Sequence, residues 1–249
     1  MNVAAYLDRI AYTGPLDPIL ATLRSLHLAH LYTVPFENLD IHLGRPLSLA
    51  PPALFDKIVA RRRGGFCYEL NGLFAWLLSE LGFRVTLLSA EVAGTHGFSP
   101  AFDHLALRVD LEEPWLVDVG FGDSFRDPLR IADSADQSQY GDDYLVLPDG
   151  DYRILMQRKP AAGDWTPQYR FTLTPYTLQD FEARCRYHQT SPDSHFTQNR
   201  ICTLATPEGR LTVSGMRLIV TSAGGKTETE LASAAEYAAV LRQRFRVIE

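Results

Sequence analysis

Apolar positions in the first third of the chain recur every three to four residues. After Asp17-Pro18, the residues Ile19, Leu23, Leu26 and His30 share one face. A helix is therefore expected that begins near Pro18 and stops before Pro35. Pro51-Pro52 opens a shorter segment with Phe55, Ile58 and Val59 on one side, closed by Arg61-Arg62-Arg63 and Gly64-Gly65. The strongest pattern follows, where Leu70, Leu73, Phe74, Leu77, Leu78 and Leu81 stand at i, i+3, i+4, i+7, i+8 and i+11. Gly82 supplies its C-terminal cap. From Arg84 the period shortens to two. RVTLLSAEV, HLALRVDL, WLVDVG, YLVLP and YRFTLTP read as strands, separated by turn-rich stretches such as Ala93-Gly94-Thr95-His96-Gly97. That pattern fits an antiparallel sheet or small barrel. Arg126 to Asp143, rich in Asp, Ser and Gln, reads as a surface excursion. GRLTVSGMRLIVTS reads as a strand pair, and Glu228 to Phe245 as a helix through Leu231, Ala235, Ala238/Ala239 and Leu241.

Composition narrows the function classes. The 249 residues are 46% hydrophobic and 22% charged, enough for a buried core in one or two domains. With 24 Lys+Arg against 30 Asp+Glu the net charge is −6, and the one dense basic cluster is Arg61-Arg62-Arg63, so no nucleic-acid partner is expected. No apolar run is long enough to span a bilayer, and Asp8 and Arg9 interrupt the N-terminal stretch, so no membrane partner and a cytoplasmic location are expected. Cys67, Cys185 and Cys202 form neither a disulfide framework nor a C-x-x-C pair. His27 and His30 lie three apart with no completing ligands, and read as packed or surface residues; no metal is expected. Gly224-Gly225-Lys226-Thr227 is similar to the end of a phosphate-binding loop, but Val220 occupies the place of the required first glycine. A turn between strand and helix is the better reading.

Cys67 follows a Gly-Gly turn and begins the clearest helix. Unpaired N–H groups and the positive dipole end there favour thiolate, and cysteines so placed have pKa values of about 3.5 to 7.5. The alternative is a small buried hydrophobe beside Phe66. A thiolate nucleophile needs a histidine, and the histidine a third group to orient it. His104 begins one strand and Asp118 lies near the end of the next. If the turn is Asp110-Leu111-Glu112, paired residue numbers sum to about 222: His104 faces Asp118, Leu107 faces Trp115 and Leu105 faces Val117. If it is Glu112-Glu113-Pro114, His104 faces Gly122 and Asp118 lies roughly 13 Å along the strand. An aspartate inside Leu116-Val117-Asp118-Val119 needs a partner if buried; it could equally bond the turn at Gly120. The residues alone leave open an acyltransferase, a cysteine hydrolase with the same triad, or a binding module with a packing cysteine.

Several strings together resemble the arylamine N-acetyltransferases of bacterial type. They are Arg63-Gly64-Gly65-Phe66-Cys67-Tyr68-Glu69-Leu70-Asn71-Gly72, LHLAHLYTVPFENLD at 26–40, the His104 strand, WLVDVGFG at 115–122 and SPDSHFTQNRICTLATPEGRLTV at 191–213. The resemblance implies an α+β fold with a papain-like cysteine-enzyme core. It would comprise a helical bundle over residues 1–85, an antiparallel β-barrel over 86–195 and a small α/β lid over 196–249. It implies Cys67 as acetyl-accepting nucleophile, His104 as acid/base and Asp118 as its orienter. Acetyl-CoA would be the donor co-substrate, CoA would leave first, and an arylamine, arylhydrazine or arylhydroxylamine would take the acetyl group. No metal or prosthetic group is implied. Phe36, Phe121 and Phe196 would line an aromatic acceptor pocket. Glu37, Arg63, Glu69 and Asn71 read as paired groups that hold the Cys67 turn. Asp103, before His104, departs from the Thr or Ser of many members, and the chain is shorter than most bacterial members. No basic cluster stands out as a site for the CoA phosphates.

Overall fold

Helices come first along the chain, as the three-to-four spacing predicts. The computed structural model describes residues 1–159 and 163–248. Helix α1, Val3–Arg9, is capped by the Asn2 side chain, which accepts from Ala5 N. Helix α2 spans Leu20–Thr33 and starts two residues later than Pro18 suggests, because Ile19 is still extended. Strand β1, Phe36–Glu37, and helix α3, Leu39–His42, follow. Helix α4, Pro51–Phe55, runs into a π-helical turn over Asp56–Ala60. Helix α5, Cys67–Glu80, is buried along nearly its whole length: Leu70, Leu73, Phe74, Leu77 and Leu78 are inaccessible to solvent. Burying side chains of that size contributes about 1.5–3 kcal/mol each, so α5 is the axle around which the other helices pack.

The alternating segments build an antiparallel barrel. Its strands are β2 (Arg84–Gly94), β3 (Gly97–Phe98), β4 (His104–Asp110), β5 (Pro114–Val117), β6 (Leu129–Arg130), β7 (Gln137–Gln139), β8 (Asp142–Asp149), β9 (Tyr152–Arg158) and β10 (Thr166–Phe171). Among the described residues their order is β6-β5-β4-β2-β10-β9-β8-β7, with β3 paired to β2, and the sheet closes almost completely. Side chains alternate between two cores. Leu105, Leu107 and Val109 face the helices, whereas Ala106, Leu116, Tyr169 and Phe171 fill the barrel. Residues 126–143 are a surface excursion only in part. They carry β6 and β7, with Leu129 and Ile131 buried in the barrel core, and only the part from 132 to 141 is largely exposed as a surface excursion would be. Strand β9 hides from an alternation test because Ile154-Leu155-Met156 is a continuous apolar run.

Helices α6 (Glu182–Thr190) and α7 (His195–Gln198) lead to β11 (Ile201–Thr206), β12 (Gly209–Ser214), β13 (Arg217–Ser222) and β14 (Gly225–Glu230). GRLTVSGMRLIVTS forms the β12–β13 hairpin, Ser214 opposite Arg217. Gly224-Gly225 is a turn between two strands rather than between strand and helix. Residues 228–230 are strand, not helix, because Lys226 to Glu230 offer no apolar helical face. Helix α8, Ala234–Val240, begins at the Ser233 cap and continues into a π-helical turn over Leu241–Phe245. Strand β1 pairs with β11, Phe36 opposite Thr203, so the last sheet is anchored on the chain just ahead of the Cys67 helix.

Candidate active site

Gly64 and Gly65 place the start of α5. A Cβ on Gly64 would lie 2.0 Å from the Pro35 carbonyl oxygen, so only glycine lets the 35–37 and 64–65 segments touch. Glu37 N donates to Gly65 O at 2.8 Å across that contact. Glu69 turns back to accept from Phe66 N at 3.1 Å, fixing the residue before Cys67. The other Glu69 oxygen accepts from Lys57 Nζ at 2.8 Å, and Lys57 lies 3.0 Å from Asp40 Oδ2. Arg63 Nη2 pairs with Glu37 Oε1 at 2.9 Å and with Asp40 Oδ1 at 3.1 Å. Glu37, Arg63 and Glu69 are thus paired and buried, as expected. Asp40 and Lys57 complete the network and were missed. The signal was an isolated lysine between Phe55 and Ile58, a position that burial permits only if a carboxylate meets it.

His104 and Asp118 meet, although by neither expected register. Strands β4 and β5 pair Leu107 with Val117 and Val109 with Trp115, so paired numbers sum to 107 + 117 = 224. The turn is Leu111-Glu112-Glu113, not Asp110-Leu111-Glu112, and Leu107 does not face Trp115 nor Leu105 face Val117. The dyad survives because a shift of two residues keeps Asp118 on the same sheet face as His104, and the ladder ends at Val117. Asp118 then turns toward His104, with Nε2 to Oδ2 at 2.7 Å. The second Asp118 reading also holds, since Gly120 N donates to Oδ1 at 2.9 Å.

Asp118 gathers two further donors. Asn71, one helical turn after Cys67, donates from Nδ2 to Asp118 Oδ1 at 2.8 Å and to Leu105 O at 2.6 Å, and accepts from Val119 N at 2.9 Å. Tyr169 Oη donates to Asp118 Oδ2 at 3.0 Å. Burial raises the Asp118 carboxyl, but the His104, Asn71 and Gly120 contacts outweigh it and hold the group below its ordinary value. Behind Asp118, His27 accepts from Asp118 N through Nε2 at 3.3 Å while its Nδ1 donates to Arg126 O at 2.7 Å. His27 and His30 are both fully buried, as packed histidines. Tyr169 and the backbone role of His27 carry no sequence signal, because both depend on contacts more than 50 positions apart.

Cys67, His104, Phe121 and Phe196 line one cavity of about 540 Å³, with Phe36 and Asp103 in its wall. Phe121 stands edge-on to the His104 ring at 5.1 Å, and Phe36 and Phe196 lie 6.1 Å apart. With Asp118 holding Nε2 of His104, Nδ1 is the nitrogen left for a thiol. Burial pushes the Cys67 thiol well above its ordinary value, with a backbone contact at Leu105 opposing and Asp118 adding to the rise. Burial at the cavity floor thus opposes the helix terminus, which favours thiolate. A thiolate here is stable only as an ion pair with a protonated partner. Asp103 accepts from His188 Nε2 at 2.9 Å and Arg184 Nε at 2.6 Å. Burial raises its carboxyl, yet His188, Ser99 and Arg184 hold it down to about 2. Among the described residues no three His, Cys, Asp or Glu side chains converge as a metal site. A second cavity of about 560 Å³, between Pro18 and Trp115, contains no nucleophile or histidine. No described helix is long and apolar enough to cross a membrane.

A sequence profile of the N-acetyltransferase family matches residues 19–248. The chain is 36% identical to the arylamine N-acetyltransferase of Mycolicibacterium smegmatis, over 98% of this chain and 91% of that protein. It is 33% identical to human arylamine N-acetyltransferase 1, over 93% and 87%. Its fold superimposes on the Mycobacterium tuberculosis enzyme with a TM-score of 0.92 at 37% identity, covering 99% of this chain and 94% of that one. The Mycobacterium marinum enzyme solved in complex with CoA gives a TM-score of 0.91 at 35% identity, over 99% and 93%. Profile, relatives and superimposed structures agree over nearly the full length, and the chain belongs to the arylamine N-acetyltransferase family.

Proposed function

We propose that Cys67, His104 and Asp118 carry the family's acetyl transfer in two half-reactions, with acetyl-CoA as donor. The reading rests on one observation: Cys67 and His104 face a common aromatic cavity while Asp118, held by four hydrogen bonds, fixes the imidazole from behind. His104 Nδ1 takes the Cys67 proton as sulfur attacks the thioester carbonyl. The carbonyl–sulfur bond to CoA breaks, and the CoA thiolate recovers the proton from the imidazolium. The acceptor nitrogen then attacks the Cys67 thioester, His104 removes the nitrogen's proton, and the amide leaves as the thiol re-forms. Burial raises the isolated thiol, so His104 beside it is needed to take the proton as sulfur becomes the nucleophile. Asp118 keeps the proton-accepting nitrogen directed at sulfur and stabilises the imidazolium.

Phe36, Phe121 and Phe196 supply planar apolar walls for an arylamine, arylhydrazine or arylhydroxylamine, and limit water that would hydrolyse the thioester. Glu37, Arg63, Glu69 and Asn71 hold the start of α5 and touch no substrate. Intact mass after brief exposure to acetyl-CoA tests the scheme. One acetyl group should appear on Cys67 and vanish when an arylamine is added, with equal formation of acetylated amine. Cys67→Ser should abolish the transfer, and His104→Gln should slow acetylation by at least ~100-fold. Donor hydrolysis without an adduct would refute the scheme in favour of a hydrolase.

A further inference from the structure

The segment from Asp118 to Arg126 carries both the group that orients His104 and the cavity wall at Phe121, yet it has left the sheet. The Asp118 peptide lies beyond the last β4–β5 pair, Leu107 with Val117. The His27 imidazole, reaching across from α2, meets both ends of this segment. Its Nδ1 lies 2.7 Å from Arg126 O, and its Nε2 lies 3.3 Å from Asp118 N and 3.1 Å from Asp118 O. A carbonyl brings no proton, so Nδ1 carries the hydrogen. Burial disfavours a second proton and outweighs the Arg126 and Asp118 contacts that favour it. Nε2 of the neutral ring is therefore an acceptor, and Asp118 N is the donor within its reach. The ring is also clamped in place. It stacks on Phe125 at 5.7 Å with the planes 4° apart, and stands edge-on to Phe74 at 6.3 Å. Phe125 belongs to the same segment, so one side chain holds it at Asp118, Phe125 and Arg126. Between those points, Gly120, Phe121, Gly122 and Asp123 line the cavity.

We infer that His27 is a positioning residue for acetyl transfer: its neutral, Nδ1-protonated ring clips the Asp118 peptide to Arg126 and so sets where the Asp118 carboxylate and Phe121 stand relative to His104. This rests on the acetyl-transfer reading above and deepens it with a residue that touches no substrate. Asn71 and Tyr169 fix the carboxylate, and His27 fixes the peptide it hangs from. A displacement of about 1 Å in such a group costs on the order of 100-fold in rate.

Nitrogen NMR of the unaltered protein, labelled at histidine, tests the clip without any catalysis. His27 should be a neutral ring protonated at Nδ1 at neutral pH; a proton on Nε2, with or without one on Nδ1, would overturn the inference. Amide variants then separate the two ring nitrogens. The amide of glutamine reaches the place of Nε2 and that of asparagine the place of Nδ1. His27→Gln thus keeps an acceptor for Asp118 N, whereas His27→Asn keeps only a partner for Arg126 O. Active sites are counted by intact mass as acetyl-enzyme. Per active site, single-turnover acetylation at saturating acetyl-CoA should slow by roughly 10–100-fold in His27→Asn and by less than ~5-fold in His27→Gln. A purely structural role changes the number of active sites and not the rate of each, so equal rates in the two variants overturn the inference. The His104 ring proton held by Asp118 gives a downfield signal, which should shift or broaden in His27→Asn and persist in His27→Gln; an unchanged signal in both counts equally against it. If the unaltered enzyme forms no acetyl-enzyme while His27 shows its Nδ1 proton, the transfer reading has failed rather than the clip.

Discussion

Lys57 offers the sharpest test of what holds the catalytic helix in place. Its ammonium is 5% exposed and contacts Asp40 and Glu69, while Arg63 contacts Glu37 and Asp40. Three carboxylates and two buried cations share this pocket, a net −1 among the buried groups, with half-exposed Arg45 3.5 Å from Asp40 at its edge. Lys57→Met keeps the chain length and apolar stem but leaves three carboxylates on one buried guanidinium, a net −2 with Glu69 deprived of its cation. Removing one partner of a buried ion pair costs about 3–5 kcal/mol. For a chain of this size that corresponds to a fall in Tm of roughly 6–20 °C. Urea unfolding followed by tryptophan fluorescence measures the loss directly. Adding Asp40→Asn should restore part of it, because the double variant returns to −1. A loss below about 1 kcal/mol, or a double variant no better than the single one, would refute the claim that this network carries α5. Activity should fall with stability, since Glu69 also fixes Phe66 N next to Cys67.

Burial lowers the pKa of both His27 and His30, so the folded chain refuses protons that the unfolded chain accepts. Stability should therefore fall as pH drops below about 6.5, by up to about 1.4 kcal/mol per pH unit for each histidine until its folded pKa is reached. Urea midpoints from pH 7 to 5 check this; His27→Gln should halve the slope, and a flat profile would contradict it. Asp118→Asn should slow acetylation of Cys67 at least ~1000-fold with little loss of acetyl-CoA affinity, because the amide stabilises the wrong imidazole tautomer; stopped-flow acetylation slowed by less than ~10-fold would count against the dyad. Gly120→Ala would place a Cβ 2.8 Å from both Cys67 Cα and Asn71 Nδ2. It should cost about 1–3 kcal/mol through overpacking and lower kcat more than ~10-fold; an active, fully stable alanine enzyme would show that the loop yields freely.

Much of this arrangement is legible in the chain, and the exceptions share a cause. The Leu70–Leu81 face and the Gly64-Gly65-Phe66-Cys67 turn are local features, set by side-chain period and glycine geometry, and they appear where expected. The His104–Asp118 meeting was legible as a matter of sheet face, since a face depends only on parity. The absolute register was not, because it depends on how Leu111-Glu112-Glu113 folds. Tyr169, Lys57 and His27 act through partners from other segments, and no local pattern encodes such pairs. The surroundings of the Cys67 thiol divide in the same way: helix position is local and favours thiolate, whereas the burial that opposes it comes from packing of the whole cavity.

The carboxylate of Asp118 has a consequence for how the protein comes apart. Its hydrogen bonds arrive from α5 through Asn71, from β4 through His104, from β10 through Tyr169 and from its own turn through Gly120. If the helices were to melt while the barrel stayed intact, Asp118 would lose the Asn71 donor, and if the barrel melted it would lose His104 and Tyr169, so either partial opening gives up buried charge-assisted hydrogen bonds. The two layers are therefore coupled into one cooperative unit at the point where the chemistry takes place. Amide protons of Leu105 and Val119 should exchange only by global opening, at the same rate as those in the middle of α5, so that loss of activity and loss of fold occur as a single event.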